Sequence, residues 1–174
     1  MKNIISPTDK EVFFTQENIT VSRTDLKGRL TYINQTFYQI ASYTEAELLG
    51  QPHSIIRHPD MPRAVFKLLW DTIRDGREIF AYVKNMTKTG DYYWVLAHVT
   101  PSYNANGDIV GFHSNRRIPD RNVINNTIIP LYSAILHEER KHQNGQKELA
   151  AGFDSLMSFL KSRSMTYDAL VFSL

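Results

Sequence analysis

The 174-residue chain contains no cysteine. That excludes disulfides, thiolate metal sites, thioether-linked haem and any thiol nucleophile, and it suits a reducing cytoplasm. A charge excess is missing too, since 20 basic against 18 acidic residues leave a formal net charge of +2. Such a balance gives no footprint for nucleic acid, so Lys161–Arg163 and the pair Arg116–Arg117 read as solvated surface. No apolar run approaches the ~18 residues needed to cross a bilayer. The polar Thr8-Asp9-Lys10-Glu11 follows too soon after Met1 for a secretory leader. The expectation is a cytoplasmic protein without direct membrane insertion. Phosphate-loop glycines, a Ser–His–Asp arrangement and a paired-carboxylate motif are also missing. His137 and His142 stand about 140° apart around a helix, which is not a metal pair. No catalytic residue and no metal ligand is expected, and the chain is not read as an enzyme.

What is present is ordinary for a folded domain: 42% hydrophobic and 22% charged residues, in a chain long enough to bury a core. Residues 1–19 read as a polar arm or cap. Ile19 and Val21, then Leu30, Tyr32 and Ile33, flank a turn at Thr24–Gly28 and predict a hairpin. Asn34 is placed to cap a short helix with Phe37, Ile40 and Ala41 on one face, and Thr44–Glu47 has the capping-box form, ended by Gly50. Pro62 opens a helix in which Phe66, Leu69, Trp70 and Ile73 share a face. Three strands follow as a meander, over Ile79–Asn85, Tyr92–Thr100 and Ile109–Arg117, with Asn104–Asp108 as a hairpin turn. From Pro119 the period is helical again. Ile124, Ile128, Leu131 and Ile135 form one stripe, interrupted by Pro130. Phe153, Leu156, Met157 and Leu160 form a second within Leu149–Leu160, and a short helix capped by Thr166 holds Leu170 and Val171. The order predicts an α+β fold, divided into an arm (1–19), a sensor domain (20–118) and a C-terminal helical extension (119–174).

Several runs carry a resemblance to a family. Tyr32-Ile33-Asn34-Gln35-Thr36-Phe37, Tyr43–Gly50 and Lys88-Thr89-Gly90-Asp91-Tyr92-Tyr93-Trp94 resemble a PAS domain. Gly50-Gln51-Pro52-His53, Arg57-His58-Pro59-Asp60-Met61-Pro62, Trp70 and Val83-Lys84-Asn85 resemble more narrowly the PAS domain of bacterial aerotaxis receptors and of short energy-taxis proteins. The resemblance covers about residues 20–136. It implies a five-stranded antiparallel sheet curved around a pocket, with short helices closing one face. It also implies non-covalently bound FAD as a redox reporter. A membrane receptor of that family continues into an anchor and a kinase-control domain. The expectation here is a chain without an output domain of its own, signalling to a separate partner such as a membrane-bound chemoreceptor-like component, with a homodimer possible.

The resemblance implies a cofactor-binding set of Arg57, His58, Asp60, Trp70, Asn85, Asn34, Phe66, His53 and His113. Arg57 can fork onto a pyrophosphate, with His58 beside it, or both can belong to a surface loop with an internal ion pair. Asp60 can accept from a ribose or ribityl hydroxyl, or cap the helix beginning near Pro62. Trp70 is either core or a flat wall for a ring. Asn85 ends an inward apolar stripe and must find a partner, at a cost of ~1–3 kcal/mol if it does not; a flavin pyrimidine edge suits it, as does a turn hydrogen bond. His53 stands where light-sensing PAS domains carry their reactive cysteine, so no cysteinyl adduct can form. His113 corresponds to the last-strand glutamine of those relatives, provided that Gly111 faces the pocket; otherwise it and Asn115 point to solvent. Rival readings are a haem oxygen sensor using His58 or His113 and a cofactor-free adaptor. The C-terminal stripes exceed what a sheet needs for cover, so they pack on their own domain or dock a partner. Under the docking reading, truncation after about Arg140 leaves FAD binding largely intact.

Overall fold

Residues 5–174 are described by the computed structural model; the first four residues of the expected arm lie outside the described residues. Thr20–Thr24 (β1) and Leu30–Ile33 (β2) pair antiparallel. The Asp25 carboxylate accepts from the Lys27 and Arg29 amides at 2.8 and 2.9 Å, which closes the turn. Gly28 sits at φ +77°, and a Cβ there would lie 2.9 Å from the Trp70 indole. This glycine thus serves both the turn and the close approach of the next layer.

Asn34 caps α1 (Gln35–Ile40), its side-chain oxygen accepting from Phe37 N at 3.1 Å and from Val21 N at 2.9 Å. The Thr44–Glu47 capping box closes in both directions at α2 (Glu45–Leu48). A 3₁₀ turn, His53–Ile56, leads to α3 (Arg63–Arg74). The meander follows as β3 (Ile79–Met86), β4 (Tyr92–Tyr103) and β5 (Ile109–Arg117). All pairs within the five-stranded sheet are antiparallel, in the order β2-β1-β5-β4-β3. The fold is α+β and of the PAS type, as expected.

Register decides which side chains share the inner face. One cross-strand row runs Ala81, Ala97, Arg116, Thr20, and the next runs Ile79, Val99, Ser114, Ser22. Phe112 belongs to this face, whereas Asn115 lies opposite His98 on the outer one. Gly111 has its own reason to lack a side chain: a Cβ there would collide with the Thr24 carbonyl.

The C-terminal helices wrap the β3 edge. Asp120 caps a turn of helix, α4 (Arg121–Val123), which runs through a π-helical segment, Ile124–Ile128, into α5 (Ile129–Arg140). Pro130 stands in the first turn of α5. It has no N–H to donate one turn back, and the wider π register accommodates that loss without breaking the helix. α6 (Gly145–Ser162) begins earlier than the hydrophobic stripe suggested, because Asn144 caps it at Gln146 N and Lys147 N. α6 packs on α5 and α3, and α7 (Tyr167–Phe172) returns to β3. Ile124, Ile128, Leu131, Ile135, Leu156 and Leu160 are all buried in the core that α3 and the sheet share. Both stripes are therefore used within the chain.

Two polar contacts tie this wrap to the sheet and to α3. The Tyr132 hydroxyl donates to the Tyr82 carbonyl on edge strand β3 at 2.7 Å, which protects an otherwise open edge. Glu139, 4% exposed, accepts from Arg63 N at 3.1 Å and Ala64 N at 2.9 Å. The α3 N-terminus is thus capped from α5. Asp60 does not cap it: its carboxylate turns to Lys84 Nζ at 3.1 Å and Arg140 Nη2 at 3.4 Å.

Candidate functional site

Between α3, the 3₁₀ turn and the inner sheet face lies a cavity of about 470 Å³, a volume suited to a small organic ligand. Phe66, Leu69, Trp70 and Ile73 of α3 form its wall, because their i, i+3, i+4, i+7 spacing sets them on one helical face. Ala97, Val99 and Phe112 floor it. The Trp70 and Phe112 rings meet edge to face at 5.4 Å. Lys27, Arg57, Arg63, Lys67 and Arg74 also line it, and among the described residues no carboxylate does. Arg57 lies over Phe66 at 4.3 Å and Arg74 over Trp70 at 5.0 Å, so cations and aromatics alternate along this wall.

The deep end is polar. Asn85 is 3% exposed, and its Nδ2 has no hydrogen-bond partner. Arg116, 5% exposed, donates through Nη2 to His53 Nε2 at 2.6 Å and to Ser22 Oγ at 3.0 Å, while its Nη1 has no partner. Ser114 Oγ is likewise buried and unpaired. A guanidinium only donates, so His53 Nε2 is the bare nitrogen and the ring is neutral. Burial and then the Arg116 charge push His53 down to about 3. Burial draws Arg116 itself down to about 10. A buried donor without an acceptor carries a desolvation cost of ~1–3 kcal/mol. Two such donors beside one cavity mark where a ligand's acceptors belong.

Six of the nine expected residues border the cavity, Arg57, Phe66, Trp70, Asn85, His53 and His113, although register sets the His113 side chain apart from the other five. Three others, and the side chain of His113, are turned elsewhere. His58 is buried against Tyr92 at 5.9 Å, its Nδ1 accepting from Asp60 N at 3.1 Å, and it does not line the cavity. Asp60 is spent on the ion pairs with Lys84 and Arg140. Asn34 is consumed by the α1 cap and by the Ile19 carbonyl. His113 borders the cavity but has the parity of Asn115, which places its side chain on the outer face between Arg23 and Thr100. Its assignment to the inner face is corrected by the register. Gly111, having no side chain, cannot report the phase of β5; Phe112 can. Counting from Phe112 puts Ser114 and Arg116 inside, against the ordinary expectation that an arginine faces water. The reading of Arg116 as solvated surface is therefore also corrected.

Comparison with known proteins identifies the family. The PAS fold family matches residues 30–116, and the chain belongs to that family. Within it the sequence is of the aerotaxis-receptor type: it is 40% identical over 129 residues to the aerotaxis receptor of Escherichia coli K12, covering 74% of this chain and 25% of the receptor. It is 27% identical over 109 residues to the nitrogen fixation regulatory protein of Klebsiella pneumoniae, covering 61% and 22%. The chain thus spans about a quarter of the length of these two relatives. Among solved structures, a PAS domain from Colwellia psychrerythraea is similar at TM-score 0.54 and 19% identity, covering 58% of this chain and 86% of that one. The light-state structure of the blue-light photoreceptor Aureochrome1 LOV is similar at 0.56 and 20%, covering 66% and 91%. These two likenesses bear on the fold alone. Among the described residues no helix is long and apolar enough to cross a membrane.

Proposed function

We propose that this PAS domain holds FAD non-covalently and reports its redox state to a separate signalling protein. The observation that carries the reading is the pair of buried, unpartnered donors, Asn85 Nδ2 and Arg116 Nη1, beside an aromatic-walled cavity. A flavin ring offers the matching chemistry: flat faces for Phe66 and Trp70, and a pyrimidine edge whose carbonyls accept from Asn85. The cationic wall residues suit the diphosphate of a dinucleotide, Arg57 among them. Bound flavin supplies reversible two-electron redox chemistry. The residues of this chain orient the ring, exclude water and answer a change in its charge. Haem is a poorer match, because neither rival histidine is free in the cavity. His58 lies outside it, and His113 faces the other side of the sheet.

The similarity to an aerotaxis receptor supports a role in signal transduction. The receiver in this reading is a membrane-bound chemoreceptor-like component, and the domain works in the cytoplasm. Protein purified without added ligand is expected to show the two-banded flavin absorption and to release FAD on denaturation. Asn85→Ser and Arg57→Ala are expected to lower flavin occupancy while circular dichroism still reports a folded domain. Recovery of stoichiometric FMN or haem, or a colourless protein, overturns the reading.

A further inference from the structure

Arg116 is an unusual cation. It is buried at the centre of the sheet, on β5 between β1 and β4, and among the described residues no carboxylate pairs with it. Its acceptors are neutral: His53 Nε2 and Ser22 Oγ through Nη2, and the Phe37 ring at 5.4 Å from Cζ. Nη1 has no partner. The residues beside it in its cross-strand row are Ala97 and Thr20, both small, so no bulky neighbour screens it from the cavity it lines. Asn85 Nδ2 and Ser114 Oγ, also unpaired, line the same cavity. Among the described residues, every full charge facing this space is positive. A charge removed from water interacts more strongly than one at the surface, because fewer solvent dipoles oppose it. A donor set of this kind does little for a neutral ring and a great deal for one that gains negative charge.

We propose that Arg116 is the residue through which the cavity prefers the reduced form of its ligand over the oxidised form. The inference rests on the flavin reading above and deepens it. The oxidised ring is neutral. Two electrons and one proton taken from an external donor leave it with one net negative charge, and Arg116 is the buried counter-charge. The guanidinium already holds His53 through Nη2, so a stronger pull on Nη1 shifts the Arg116–His53–Ser22 contact. That contact joins β5 to β1 and to the 3₁₀ turn, and is thus a route by which ligand charge reaches the fold.

The test is the midpoint potential of the bound flavin, followed by its absorption during dithionite titration with redox dyes, dithionite being oxidised to sulfite. In Arg116→Gln the ratio of affinities for reduced over oxidised flavin is expected to fall at least tenfold, a drop of about 30 mV for a two-electron couple. Arg116→Lys, which keeps the charge, is expected to stay closer to the parent than the glutamine variant. Arg117→Gln, exposed at the end of the same strand, is expected to leave the potential unmoved. Flavin bound by Arg116→Gln at an unchanged potential overturns the proposal and leaves the flavin reading standing. A lysine variant that falls as far as the glutamine variant overturns it too, because charge is then not the cause. Loss of flavin from both Arg116 variants makes the residue a binding group without redox preference, which again overturns it. A parent protein that holds no flavin sinks the reading beneath it instead.

Discussion

His53 stays neutral far below the usual imidazole range because of where it sits: its Nε2 faces a guanidinium, and its ring meets Phe37 edge-on at 5.9 Å. Its pKa falls from 6.5 to about 3 on folding, through burial first and Arg116 second. The unfolded chain therefore binds one more proton than the native state between those values. The resulting stability is complete above pH 6.5 and is lost as pH falls toward 3. Between pH 7 and 4.5 this one residue is expected to remove roughly 2–3 kcal/mol. His58 adds to the loss with the same sign, since burial and then Lys84 lower its pKa. Urea midpoints across that range isolate the His53 share, because His53→Gln is expected to flatten the slope while leaving the His58 part in place. An unchanged slope in the variant would falsify the assignment of His53 as the buried neutral partner of Arg116.

At the level of elements, the joint between α5 and α3 stands out. α3 begins after Pro62, which offers no side-chain cap, so its first amides depend on Glu139 across the chain. Glu139 packs so closely on Gly152 of α6 that a Cβ there would collide with its carboxylate. Glu139→Ala is expected to destabilise the domain by ~1–3 kcal/mol, since it strands buried donors at a helix start. Glu139→Gln, keeping one acceptor, should recover part of the loss in the same urea titration. Because α3 carries Phe66 and Trp70, the alanine variant is also expected to retain less flavin. Stability equal to the parent's would show that water caps α3 equally well.

Over the whole molecule, the C-terminal helices belong to the same core as the sheet. Leu156, Leu160, Tyr167, Leu170 and Val171 are buried against it. Removing five such side chains forfeits about 10 kcal/mol at ~1.5–3 kcal/mol each, comparable with the entire stability of a typical domain. The expectation that truncation after Arg140 spares FAD binding is accordingly reversed. The shortened protein is expected to lose cooperative unfolding and flavin together, measured by thermal melting and by absorption. A truncated chain that melts cooperatively with bound flavin would return α6 and α7 to the status of a detachable tail.

Local chemistry was legible in the residue order. The turn at Asp25–Gly28, the cap at Asn34, the Thr44–Glu47 box, the α3 face and the alternation of β3 follow from interactions within a few positions, so neighbouring residues suffice to specify them. Family motifs added the PAS topology and five of the cavity residues. What stayed hidden depends on partners far along the chain. Glu139 reaches α3 from 75 residues away, and nothing near either site announces the pairing. The phase of β5 failed for a related reason. The second half of β5 is polar on both faces, Ser114 and Arg116 inside and His113 and Asn115 outside, so no apolar alternation marks the core side, and Gly111 carries no side chain to break the tie. Sequence alone determined the elements and the kind of fold. Only the tertiary structure decided that Arg116 faces inward, that His58 and Asp60 face away, and that the C-terminal stripes close on their own domain, because register and burial are properties of the assembled sheet and not of any one segment.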